Sequence, residues 1–242
     1  MEPHRTTKLA TSVAGALGEV LVDRGDKVTR GMLVARLESG VEEADVFSAE
    51  VRAADTSTME EKAARRDFTQ AKWQRIEKLR ASSQFVSQSN LEEAQADARQ
   101  AAAELEQARI AHKLAELDLK HAKAKLDQRT IRSTIDGVVT ERMLSPGEYA
   151  YEQAPVVTVA ELDPLNVEVF LPVARYGSVA IGDEMIVEPE APVGGRYTAK
   201  VSVIDRVLDE RSGTFGIRLS LPNPGLVLPG GIRCRLRPVA SQ

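Results

Sequence analysis

The sequence predicts an elongated chain of mixed α and β structure, with a small β-sandwich split by a long antiparallel helical hairpin. From Val41 to Asp136 there is neither glycine nor proline, whereas ten of the eleven prolines fall from Pro146 onward. That gap is rich in Ala, Glu, Gln, Lys, Arg and Leu, the residues that lose least on entering a helix. The flanking segments alternate apolar and polar residues and are punctuated by Gly-acidic turns, the pattern of half-buried strands. The two flanks also match each other at a constant offset.

That match sets out the β elements. Gly15-Ala16-Leu17 corresponds to Gly137-Val138-Val139, and Gly25-Asp26 to Gly147-Glu148. Leu33 falls opposite Pro155, Val34 opposite Val156 and Leu37 opposite Val159. Two such half-motifs form one sandwich, residues 13–40 with 129–160, and the helices grow from the loop between them. Residues 1–12 read as an N-terminal strand.

Residues 41–128 form the hairpin. In its second half Leu91, Ala94, Ala98, Ala101, Leu105, Ala108, His112, Ala115, Leu119, Ala122 and Leu126 recur three and four apart, a heptad seam. Alanine at many of these positions permits close helix approach. In the first half Ala44, Phe47, Val51 and Ala54 keep the phase, which is lost through Asp55-Thr56-Ser57-Thr58 and resumes at Ala64, Phe68, Ala71 and Leu79. A stutter is therefore expected near Asp55–Glu60. A seryl turn at about 81–89 separates the arms, and Ser89-Asn90-Leu91-Glu92 offers a capping box. Arms of matching length, 41–80 and 89–128, each extend roughly 60 Å. A continuous dimerising rod is the alternative; the turn at the midpoint favours the hairpin.

Composition narrows the function. Charge is high at 28% but the net is only −4, so no basic face for nucleic acid is expected. Cys234 is the single cysteine, and no apolar run approaches the length of a membrane span. No phosphate loop, G-x-S-x-G or G-x-G-x-x-G is present. His4, His112 and His121 lie far apart, and Met32, Met59, Met143 and Met185 are scattered, so no metal site is expected. Neither catalysis nor a cofactor is expected.

The run Gly15-x-Leu-x-x-Val-x-Val-x-x-Gly25-Asp-x-Val-x-x-Gly31-x-Leu-x-Ala35-x-Leu37 resembles the first half of a biotinyl/lipoyl-like domain. It is similar to the version in periplasmic adaptor subunits of bacterial tripartite efflux systems, also called membrane fusion proteins. Leu117-x-Leu119 and Thr130-Ile131-Arg132-Ser133-Thr134-Ile135-Asp136-Gly137 resemble the family's return from hairpin to lipoyl-like domain, with Ser133-Thr134 in place of Ala-Pro. Leu162-Asp163-Pro164, Gly182-Asp183, Asp209 to Thr214, Pro222-Asn223-Pro224 and Leu228-Pro229-Gly230-Gly231 resemble the adaptor β-barrel, implied for 161–242. The N-terminal strand is expected to join that barrel. Biotin or lipoate carriers share the sandwich fold but need a lysine on its exposed turn, and Leu37-Glu38-Ser39-Gly40 has none.

The resemblance implies a non-enzymatic adaptor that links an inner-membrane transporter to an outer-membrane channel for export of small molecules. It also implies self-association as a hexameric ring in the periplasm and anchoring to the inner membrane by a segment not in this chain. In the family the hairpin tip carries a spaced Arg, Leu and Ser that meet the channel, and the matching residues are Arg75, Leu79 and Ser87. The Leu79-to-Ser87 spacing is one residue longer than the family pattern, which leaves Ser83 as an alternative. Read from the residues alone, the three are a solvated charge, a last seam residue and a cap. The competing function is a coiled-coil scaffold that tethers partners without forming a conduit.

Overall fold

The computed structural model describes residues 1–82 and 87–238. They fall into two compact units, Met1–Glu38 with Arg129–Gln242, and Ser39–Gln128.

In the first unit the strands are β1 (Glu2–Ala10), β2 (Gly15–Val20), β3 (Lys27–Val28), β4 (Leu33–Leu37), β5 (Thr130–Arg132), β6 (Gly137–Arg142), β7 (Tyr149–Ala150) and β8 (Pro155–Pro172). The internal repeat holds down to its hydrogen bonds. Asp26 accepts from the Asp23 N–H at 2.7 Å, and Glu148 accepts from the Ser145 N–H at 3.1 Å. The following chain turns through Gly25 at φ 98° and Gly147 at φ 87°, left-handed angles that glycine adopts without a Cβ clash. The halves then exchange strands. Strand β3 pairs with β6 and β7 with β2, while the Gly25 N–H reaches the Val139 carbonyl at 2.8 Å and the Gly147 N–H the Leu17 carbonyl at 2.7 Å. Neither half closes a core alone. Together they bury Leu17, Val34, Leu37, Ile131, Val139, Val156 and Val159 between the sheet β5–β4–β2–β7 and the β8–β6–β3 end of the other sheet. Ser133, the departure from the family pattern, is buried there with its hydroxyl donating to the Ile135 carbonyl at 2.6 Å.

Strand β8 continues past the sandwich. Its far half pairs with β11 (Thr214–Leu221), and the order runs on through β10 (Tyr197–Ile204) and β9 (Glu184–Pro189) to β12 (Cys234–Pro238). This antiparallel sheet wraps a second core of Leu165, Val167, Val187, Val201, Phe215, Leu219 and Leu221. The Gly-acidic turn recurs a third time: Asp183 accepts from the Ala180 N–H at 2.8 Å beside Gly182 at φ 96°. Strand β1 runs antiparallel along β8, placing Leu9 in the first core and Met1 in the second. Half-burial pushes the Cys234 thiol up from its ordinary pKa.

The second unit is helical: α1 (Gly40–Ala54), α2 (Ser57–Ser82) and α3 (Gln88–Asp127). The arms run antiparallel. As the residue number climbs along the first arm the partner number falls along α3, through Glu50–Lys123 at 2.8 Å, Lys62–Glu104 at 3.5 Å and Lys72–Asp97 at 3.3 Å. Glu104 is held below the usual carboxylate range, first by the Gln100 amide and then by Arg65 and Lys62 across the seam. The stutter falls where the heptad phase placed it. Asp55 is extended, at φ −77° and ψ 107°, and its Oδ1 accepts from the Ser57 N–H at 3.0 Å and hydroxyl at 2.6 Å, which starts α2. The start of α3 differs from the capping box expected at Ser89. Ser87 is the N-cap and accepts from the Ser89 N–H at 3.2 Å, so Ser89 already lies inside the helix.

Candidate partner-binding surfaces of the hairpin

All eleven seam positions expected on the second arm face inward. Ala94, Ala98, Ala101, Leu105 and Ala122 are buried, and the other six are half-buried. The first arm requires a correction. Phe47 (69% exposed), Val51 (57%), Phe68 (71%) and Leu79 (51%), expected in the seam, lie on the surface. The inward face is instead Val46, Ala49, Ala53, Met59, Ala63, Gln70, Trp73 and Ile76. The reason is steric. The alanines of α3 bring the arms close, so small Ala49, Ala53 and Ala63 fit opposite, whereas a phenylalanine ring would hold the arms apart. Trp73 enters only where Ala98 and Ala102 leave room for its ring. Both stripes recur at heptad spacing, so periodicity alone does not choose between them. Trp73 and Ile76, three apart and out of phase with Phe68 and Leu79, are the signal in the sequence that a second stripe exists.

The first arm therefore presents an outward apolar stripe, and the second arm has one too. Ile110 (58% exposed), Leu114 (57%) and Leu117 (50%) follow one another at i, i+4 and i+7, on the side of α3 away from Ala108, His112 and Ala115. The ion pairs give the relative heights of the two arms. Phe47 and Val51 bracket Glu50 and stand level with Ala122–Leu126, Phe68 stands level with Gln100 and Ala101, between Lys62–Glu104 and Lys72–Asp97, and Ile110, Leu114 and Leu117 stand between these two levels. Toward the hairpin tip the two arms differ in the sign of their charge. Helix α2 carries Lys62, Arg65, Arg66, Lys72, Arg75, Lys78 and Arg80 against Glu60, Glu61, Asp67 and Glu77. The facing half of α3, residues 88–110, carries Glu92, Glu93, Asp97, Glu104 and Glu106 against Arg99 and Arg109.

At the distal end Arg75 and Leu79 lie four residues apart on α2, and both are exposed. Arg75 makes no hydrogen bond or ion pair with a described residue. Ser87 sits at the start of α3 as its cap, separated from α2 by residues 83–86; Ser83 lies outside the described residues. Elsewhere, among the described residues, no three His, Cys, Asp or Glu side chains converge as a metal ion would require. No described helix is long and apolar enough to cross a membrane.

A family model for the CzcB-like, barrel-sandwich hybrid domain matches residues 5–161. Among curated proteins, nodulation protein NolF of Rhizobium meliloti is 24% identical over 232 residues, covering 96% of this chain and 59% of NolF. The chain spans about half the length of the curated relatives it matches. MacA from Actinobacillus actinomycetemcomitans superposes with a TM-score of 0.77 at 21% identity, covering 97% of this chain and 74% of MacA. The membrane fusion protein Spr0693 from Streptococcus pneumoniae R6 superposes with a TM-score of 0.60 at 18% identity, covering 98% and 99%. At these identities the superpositions show a common fold. The sequence match, which takes in both sandwich halves and the hairpin between them, shows kinship: the chain belongs to the CzcB-like barrel-sandwich hybrid domain family.

Proposed function

We propose that this chain is the core of a non-enzymatic periplasmic adaptor that links an inner-membrane transporter to an outer-membrane channel for the export of small molecules. The observation that carries the proposal is the pair of outward apolar stripes, one on each edge of a hairpin that already satisfies its own seam. A tether needs only the inner seam. A second apolar edge suits lateral packing of identical hairpins into a closed ring of six, the first arm of one copy against the second arm of the next. Each buried Phe or Leu on such an edge contributes roughly 1.5–3 kcal/mol. The ring walls a conduit, its hairpin tips meet the channel through Arg75, Leu79 and Ser87, and the barrel meets the transporter.

The test is Phe47→Glu combined with Phe68→Glu in the full-length secreted protein. Both side chains are exposed, so the hairpin keeps its far-ultraviolet ellipticity. Native mass spectrometry should then show the ring reduced to monomers, with export lost in cells. A ring that forms unchanged in the double variant contradicts the lateral packing and favours the tethering scaffold.

A further inference from the structure

Where α1 gives way to α2, the first arm opposes the smallest stretch of the second. Ala108, Ala111 and Ala115 face the break and, with Arg52, Asp55, Thr58, Met59 and His112, line a cavity of about 220 Å³. His112 is the polar group that lies on the inner seam there, and its needs are unmet. The Nδ1 atom is buried with no hydrogen-bond partner among the described residues. The Nε2 atom is 3.7 Å from Glu116 Oε1, beyond a hydrogen bond. Across the cavity, Asp55 spends Oδ1 on both of its bonds to Ser57, and no described residue hydrogen-bonds to Oδ2. A buried ring nitrogen without a partner is costly, and an imidazolium makes both ring nitrogens donors, with Glu116 beside Nε2 and Asp55 on the same cavity as the ring.

We propose that the break is a proton-operated joint: protonation of His112 ties Asp55 Oδ2 to α3 through Nδ1–H and closes the cavity, and loss of the proton releases it. The two carboxylates facing the ring favour its proton, and the one guanidinium opposes it. Asp55 comes from the link and Glu116 from α3, where it is shared with Lys113 at 2.7 Å; Arg52 of α1 also lines the cavity, and the α2 residues there, Thr58 and Met59, are uncharged. The Ser57 hydroxyl and N–H hold Asp55 below the usual carboxylate range, so it keeps its charge throughout the interval in which histidine titrates. The tie stiffens the break in the first arm while the ring holds its second proton and leaves it compliant once that proton is lost. This inference is independent of what the hairpin binds.

Hydrogen exchange of the intact chain, read by mass spectrometry over residues 52–62 at pH 5.5 and pH 8 and corrected for intrinsic rates, tests it. In the parent protein, exchange at the start of α2 should be about tenfold slower at pH 5.5, the ratio that one added charge-assisted hydrogen bond is worth. His112→Gln should abolish the pH difference. So should Asp55→Asn, which keeps the cap acceptor for Ser57 but not the charge. Equal protection at the two pH values in the parent protein overturns the proposal, and so does a pH difference that persists in either variant.

Discussion

Asn223 uses every hydrogen-bonding group of its side chain inside the barrel. Its Nδ2 donates to the Leu162 and Leu228 carbonyls, both at 2.9 Å, its Oδ1 accepts from the Leu228 N–H at 2.9 Å, and its own N–H reaches Asp163 Oδ1 at 2.8 Å. Asn223 is thus a buried clasp between strand β8 at Leu162 and the loop at Leu228. Asn223→Asp keeps the shape but replaces the donating Nδ2 by an oxygen, which leaves the Leu162 and Leu228 carbonyls facing an acceptor. We expect it to lower unfolding free energy by about 3 kcal/mol in a urea titration, whereas a surface Asn→Asp change moves it by less than about 0.5 kcal/mol. Gly137 makes a second test at this scale. A Cβ there would run into the Ala160 carbonyl across the β6–β8 pair, so Gly137→Ala should cost about 1–3 kcal/mol in the same titration. Both residues stand out in the sequence as motif members, yet their chemistry does not. The partners of Asn223 lie up to 61 residues away, a distance that spacing cannot read.

At the scale of elements, the second arm was legible because its seam runs unbroken at three- and four-residue spacing from Leu91 to Leu126, and all eleven named positions turn inward. The first arm was legible in its helicity and in its break at Asp55, but not in its phase. Two stripes share its heptad, and only the close approach dictated by the alanines of α3 decides which one packs. Ala101→Leu should therefore destabilise the hairpin by about 1–3 kcal/mol, read by thermal unfolding at 222 nm, because that seam has no room to relax around a larger side chain. The hairpin also carries a pH dependence of known sign. Glu104 and Asp55 are both held below their ordinary values, so each stabilises the folded hairpin above about pH 4.5, and that contribution is lost as pH falls through the folded-state value. A melting temperature that falls below pH 4 and flattens in Glu104→Gln is the expected outcome.

For the whole molecule, the internal repeat was the most legible feature. Gly25-Asp26 and Gly147-Glu148 mark the same turn twice because the same physical problem, a left-handed corner with a carboxylate closing it, recurs in each half. The exchange of β3 and β7 between the halves explains how the sandwich closes although the long hairpin is inserted between them in sequence. The adaptor reading makes one demand that a scaffold does not: the distal end must touch an outer-membrane channel. The most direct measurement is in-cell cross-linking from that end in the full-length secreted protein, with Cys234→Ser and a single cysteine at Asn90, exposed in the first turn of α3. The expected result is capture of an outer-membrane channel protein, lost when Arg75→Asp is added. Capture only of further copies of the chain or of a soluble protein, unaffected by Arg75→Asp, would contradict the adaptor reading.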